Sequence, residues 1–198
     1  MCLRVRRGLL SSAIIPRMKP WPEVGEILLE AESIQNRVAE MGRQISQDYQ
    51  GRNPLFVCIL RGAALFCSDL IRHVDLPLRL DFIALSSYGA STKSSGEVRL
   101  IKDLESSIEK VDVILVEDIV DTGLTLSYLI HNLENRGPAS LKVCTLLSKP
   151  DRRLVEVQVD YIGFDIPDEF VVGYGLDFNQ HFRNLPYIGV YNGESEDG

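Results

Sequence analysis

One run of residues constrains this chain more than any other. Leu55-Phe56-Val57-Cys58-Ile59-Leu60 is apolar without interruption. A half-exposed strand alternates polar and apolar residues, so an unbroken run of this length predicts a strand buried on both faces, as in a parallel sheet. A helical stretch through Phe66, Leu70, Ile71 and Val74 follows it. Val111 to Val116 reads as a second buried strand, and a helix with Leu126, Leu129, Ile130 and Leu133 on one face comes next, ending at Gly137-Pro138. Leu78 to Tyr88, Leu141 to Leu147 and Tyr161 to Ile166 are further expected strands, with Glu97 to Lys102 returning beside the first of them. Strands alternating with helices predict an α/β fold with a central, mostly parallel sheet flanked by helices.

At the N-terminal side, Pro20-Trp21-Pro22-Glu23 reads as a helix start. Val24, Ile27, Leu28, Ala31, Ile34, Val38, Met41 and Ile45 recur at helical spacing, so one helix is expected from there to Ile45. The first 17 residues carry four arginines and no acid. They are expected to be a disordered leader or a misassigned start, with Met18 as the true beginning; a transit peptide has the same composition. Residues 18–192 are expected to form a single domain. The acidic stretch 193–198 is expected to fray, and the tail from Phe170 to be irregular.

The net charge of −7 argues against a nucleic-acid partner, which requires a basic face. No apolar run approaches the roughly 20 residues that span a bilayer, so no membrane segment is expected. Cys2, Cys58, Cys67 and Cys144 contain no CxxC pair, and Cys58 and Cys144 lie in apolar runs. They read as buried thiols of a reducing, cytoplasmic compartment. His73, His131 and His181 are scattered without zinc spacing and read as structural or exposed.

The chemistry concentrates in Val113-Ile114-Leu115-Val116-Glu117-Asp118-Ile119-Val120-Asp121-Thr122-Gly123-Leu124-Thr125. A buried strand is expected to end in two adjacent carboxylates. A turn with a third carboxylate, a glycine and two threonines then opens a helix. Ligands of open α/β sheets bind at the carboxyl ends of strands. Free N–H groups at a helix start attract phosphate, with the Thr122 and Thr125 hydroxyls as added donors, and Gly123 lets the backbone approach closely. Glu117 and Asp118 would repel a bare phosphate, but suit ribose hydroxyls and Mg²⁺. Phosphate, diol and metal together describe a phosphorylated ribose.

This segment resembles the phosphoribosyl-pyrophosphate motif of the type I phosphoribosyltransferases, and Glu-Asp-Ile-Val-Asp-Thr-Gly resembles the hypoxanthine-guanine branch. The resemblance runs from about Trp21 to Tyr191. It implies the family's fold, with a small hood over the sheet, and a homodimer or homotetramer. It implies Mg²⁺ as cofactor, held by Glu117, Asp118 and Asp177. It also implies small-molecule substrates, a purine base and 5-phosphoribosyl 1-pyrophosphate, with transfer to N9 of hypoxanthine and guanine.

The other motifs carry roles under the same resemblance. Leu60-Arg61-Gly62-Ala63 is similar to the family's pyrophosphate loop, which often holds a cis peptide between its first two residues; Arg61, Gly62 and Arg183 are the implied pyrophosphate contacts. Ser86-Ser87-Tyr88-Gly89 resembles the start of a lid that keeps water from a cationic transition state, with Ser87 and Tyr88 in it. Lys149 is implied to bond the 6-oxygen of the purine, Phe170 to stack on its ring, and Ile119 and the Val171 backbone to line its edge. Asp177 is implied to act on a second metal or on the base edge. Asp121 is implied to be the general base or acid that exchanges a proton with N7. Gly175 departs from the alanine common at that place. The rival readings are a ligand-sensing regulator of the same fold, a transferase preferring xanthine or adenine, and a dinucleotide-binding oxidoreductase; no GxGxxG follows a strand to support the last.

Overall fold

The computed structural model describes residues 21–87 and 98–193. Its larger sheet has six strands in the order β4-β3-β2-β5-β6-β7: β2 (Leu55–Leu60), β3 (Arg79–Ser87), β4 (Val98–Lys102), β5 (Asp112–Val120), β6 (Ser140–Ser148) and β7 (Tyr161–Asp165). All neighbours pair in parallel except β4, which returns antiparallel on β3 at the edge. The smaller sheet has three strands in the order β1-β9-β8: β1 (Val24–Leu29), β8 (Val171–Val172) and β9 (Ile188–Tyr191), all antiparallel. The described residues also hold three α-helices, α1 (Ala31–Asp48), α2 (Ala64–Arg72) and α3 (Leu124–Glu134), and a short 3-10 helix (Pro150–Arg152). This is the expected α/β architecture, with the small sheet as the hood.

The unbroken apolar run of β2 is explained by its two faces. Phe56 and Cys58 join one buried cluster with Ile34, Val38 and Met41 of α1 and Phe66 and Leu70 of α2. Leu55, Val57 and Ile59 join the other, with Leu126, Leu129 and Leu133 of α3. A central parallel strand between two helical layers has no solvent face, so neither parity of its residues can be polar.

Three expectations are corrected. The residues from Val24 to Leu29 form a strand, and the helix begins only at Ala31. Glu30 is extended there (φ −69°, ψ 150°) and ends the strand. The helical spacing of Val24, Ile27 and Leu28 is coincidental, because these residues pair across the chain with β9, in register Val24 with Tyr191 and Leu29 with Ile188. Next, β5 does not end at the acids; it continues past Glu117 and Asp118 to Val120, because β6 keeps pairing alongside as far as Ser148. Last, the tail holds β8 and β9 and is not irregular throughout. Tyr88, the rest of the expected lid loop and the end of the tail lie outside the described residues.

Candidate active site

The parallel strands β2 and β5 deliver their carboxyl ends side by side, with Cys58 level with Val116. The loop after β2 and the acids of β5 therefore meet. The Leu60–Arg61 peptide is cis. Gly62 lies so close to the Asp118 carboxylate that a Cβ on Gly62 would overlap it. Gly175, at φ +104°, lies on the other side of that loop, where a Cβ would overlap the Gly62 carbonyl. Glycine is the residue that suits both the positive φ and the close approach.

Asp118 Oδ1 accepts from the Ile119 N–H at 2.7 Å. Burial pushes the Asp118 carboxyl up to about 6, against the lowering effect of backbone N–H groups and Arg183. Glu117 is held well above the usual carboxylate range by burial, with Asp118 and Cys58 adding to it. No side chain pairs with Glu117 among the described residues. Two adjacent desolvated carboxylates, neither in an ion pair among the described residues, suit a cation or hydroxyl donors.

The turn after β5 opens a helix whose first amides are free, an arrangement that suits an anion. Gly123 is left-handed at φ +82° and caps α3, with its carbonyl accepting from the Ser127 N–H at 2.8 Å. The first-turn amides of α3 have no intrahelical partner; that of Leu124 makes only a long contact of 3.4 Å to Thr122 Oγ1. Thr122 is half-buried and Thr125 exposed at this mouth. The Thr122 carbonyl accepts from Leu154 and Val155, so the segment after β6 closes the far side of the turn.

Two cavities meet here. One, of about 270 Å³, is lined by Arg61, Gly62, Glu117, Asp118, Thr125 and Arg183, among others, and by Asp177. The second, of about 540 Å³, is lined by Ile119, Asp121, Lys149, Phe170 and Val171, among others, and again by Asp118 and Asp177. These two aspartates form the shared wall. Phe170, 54% exposed, presents a ring to the larger cavity, set edge-on to Phe178 at 5.9 Å. Lys149 is 5% exposed, with Nζ 3.7 Å from Asp168 Oδ1. Arg183 Nη2 lies 2.7 Å from Asp177 Oδ1, and Arg183 Nη1 donates to the Gly175 carbonyl at 2.7 Å. Every expected site residue in the described range thus lies at these cavities or on the turn between them, apart from Ser87, which ends β3. Glu117, Asp118 and Asp177 share the smaller cavity, but no three acids, histidines or cysteines converge as a metal-ligand set among the described residues.

Sequence reading missed four polar residues here. Arg152 Nε lies 2.9 Å from Asp121 Oδ1, and its Nη1 donates to Asp168 at 3.1 Å. Arg153 donates to the Asp121 carbonyl and to Ser148 Oγ, fixing the segment after β6 against the turn. Gln180 contacts both arginines of the smaller cavity. The cationic run after Lys149 was the signal for Arg152 and Arg153; Asp168 and Gln180 had none beyond position in a motif.

A six-stranded sheet with a three-stranded hood sets a glycine-capped helix start after an acidic strand, beside a cavity with an exposed aromatic ring. The chain belongs to the phosphoribosyl transferase domain family, whose profile matches residues 25–179. It is 50% identical over 190 residues to the hypoxanthine-guanine phosphoribosyltransferase of Mycobacterium avium, covering 91% of this chain and 94% of that one. It is 46% identical over 172 residues to the hypoxanthine-guanine phosphoribosyltransferase of Streptococcus thermophilus, covering 87% and 96%. The crystal structure of a hypoxanthine phosphoribosyltransferase from Staphylococcus aureus superposes with a TM-score of 0.82 at 50% identity, over 85% of this chain and 92% of that one.

Proposed function

We propose that this protein transfers the 5-phosphoribosyl group of 5-phosphoribosyl 1-pyrophosphate to N9 of hypoxanthine and guanine, releasing pyrophosphate, in purine salvage. One observation carries the reading: Asp118 and Asp177 wall both a cavity with two arginines and a phosphate-accepting helix start, and a cavity with an aromatic ring and a buried lysine. A nucleotide-forming enzyme needs these two sites to touch, because the sugar must reach from one to the other.

The roles follow from chemistry. The α3 amides with Thr122, Gly123 and Thr125 bind the 5-phosphate. Glu117 and Asp118 accept from the ribose hydroxyls, and their charge favours the oxocarbenium-like sugar. Arg61, Gly62 and Arg183 receive the pyrophosphate. Phe170 stacks on the purine, Ile119 and the Val171 backbone line its edge, and Lys149 donates to its 6-oxygen, an acceptor that an amino group could not replace. The C1–O bond to pyrophosphate breaks, the C1–N9 bond forms, and Asp121 exchanges the purine proton at N7.

Mg²⁺ fits the donor set. Half-buried carboxylates, of which Glu117 and Asp118 have no ion-pair partner among the described residues, are hard oxygen ligands, and Mg²⁺ is commonly held by one or two carboxylates plus phosphate oxygens of the substrate rather than by a full protein cage. Glu117, Asp118 and Asp177 would hold it, and when bound it supplies charge neutralisation for the leaving pyrophosphate. Residues 18–192 act as one unit in this reading. The enzyme works as a homodimer or homotetramer in the cytoplasm, with no nucleic-acid or membrane partner, and no helix among the described residues is long and apolar enough to cross a membrane. Formation of the nucleotide and pyrophosphate from hypoxanthine and donor by the purified protein is the test; binding of both without product would convert the reading to that of a sensor.

A further inference from the structure

The two arginines of the smaller cavity come from distant parts of the chain. Arg61 follows β2 and Arg183 lies in the loop before β9, yet both guanidinium groups converge on one atom. Gln180 Oε1 accepts from Arg61 Nη1 at 2.8 Å and from Arg183 Nη2 at 3.3 Å. An amide oxygen has two lone pairs, so this pair of bonds uses its full capacity. Gln180 is itself fixed. Its N–H donates to Asp177 Oδ2 at 2.8 Å, and its backbone is left-handed at φ +67°, following Asn179 at +49°. The turn is closed by a backbone bridge between Phe178 and His181. The same loop rests on the first one where Gly175 meets Gly62.

We propose that Gln180 is a positioning residue for the leaving group: its side-chain oxygen draws Arg61 and Arg183 together so that they receive pyrophosphate as a preformed pair. This rests on the assignment of the smaller cavity to pyrophosphate. Two guanidinium groups repel at this range, and each long side chain has many rotamers to lose on binding an anion. A neutral acceptor between them holds both without cancelling either charge. Their remaining N–H groups stay available, and the ordering cost is met before the ligand arrives. The Asp177 carboxylate meets the same Arg183 Nη2 at 2.7 Å, so Asp177 and Gln180 together fix this end of the guanidinium.

The test uses two variants of the full chain. Gln180→Met keeps length and removes the acceptor. Gln180→Glu keeps an acceptor in place. Dissociation constants for inorganic pyrophosphate are measured by calorimetry with and without Mg²⁺, alongside KM for donor and for hypoxanthine and a thermal melt. Gln180→Met should weaken pyrophosphate binding and raise the donor KM by roughly tenfold, the scale of losing preorganisation in two long side chains. The hypoxanthine KM and the melting temperature should stay within twofold and about 2 °C, since Gln180 lies at the surface, away from the core. Gln180→Glu places a carboxylate between the arginines, so it should weaken pyrophosphate binding at least as much as Gln180→Met. Equal affinity in wild type and Gln180→Met, full affinity in Gln180→Glu, or a matching rise in the hypoxanthine KM would each overturn the positioning role. Wild-type protein that binds no pyrophosphate would overturn the assignment of the cavity itself.

Discussion

The carboxylate of Asp118 rests directly on the Cα of Gly62, so this acid near the end of β5 and the loop that follows β2 have no room for a side chain between them. The contact joins the sugar side of the site to its pyrophosphate side. Gly62→Ala should therefore displace the Asp118 carboxylate or the loop. A misplacement of about 1 Å at a reacting centre costs roughly a hundredfold in rate. We expect kcat/KM for the donor to fall by about that factor while the protein still folds. Steady-state kinetics of the alanine variant at normal values would show that the contact does not position the site.

Asp121 lines the larger cavity and is held by Arg152 at 2.9 Å. Asp121→Asn keeps size and shape but cannot accept a proton. Turnover should fall by about two to four orders of magnitude, the usual range for a general acid–base group. Donor affinity, measured by direct binding, should change little. Near-normal turnover would remove Asp121 from that role.

The stability of the empty protein should carry the mark of its site. The Asp118 carboxyl is raised to about 6 from 3.8 by burial. A carboxyl with a raised folded-state pKa is destabilising when ionised, so the molecule loses stability as pH rises through about 6 and regains it as pH falls towards the unfolded value. The shift corresponds to about 3 kcal/mol at most, at 1.36 kcal/mol for each pKa unit. Asp118→Asn should therefore raise the melting temperature of the metal-free protein at pH 8, with the gain shrinking towards pH 4, while activity is lost. Melts at a series of pH values in the presence of chelator measure this. An unchanged or lowered melting temperature at pH 8 would contradict the electrostatic reading.

Lys149 is buried at the end of β6 with Asp168 3.7 Å away. Lys149→Gln removes the charged donor to a 6-oxo group. The catalytic efficiency with hypoxanthine should drop by roughly ten- to a hundredfold, the worth of a hydrogen bond to a charged group. The preference for hypoxanthine over adenine should narrow by a similar factor. An unchanged preference would place base selection elsewhere.

The sequence revealed the large sheet well because each central strand is written locally. Leu55–Leu60 is apolar on both parities, short, and bounded by Asn53-Pro54 and Arg61-Gly62, which favours a strand over a helix. The acidic turn was legible for the same reason, since Glu117 to Thr125 is continuous. The hood was not. β1 is held by β9 more than 150 residues later, and neither strand has a local pattern that shows the pairing. The extent of β5 was also misjudged: charge suggested an end, but pairing with β6 carries the strand past Glu117 and Asp118. Arg152 and Gln180 contribute through contacts with Asp121 and Arg61 that only the fold creates.

The central claim, phosphoribosyl transfer to a 6-oxopurine, is tested most directly by a purine panel. Hypoxanthine, guanine, xanthine and adenine are each supplied with 5-phosphoribosyl 1-pyrophosphate, with Mg²⁺ and with chelator, and nucleotide and pyrophosphate are quantified. The account predicts equal amounts of the two products from hypoxanthine and guanine, little from adenine, and loss of the reaction when Mg²⁺ is removed. Binding without product for every base, or efficient use of adenine, would contradict it.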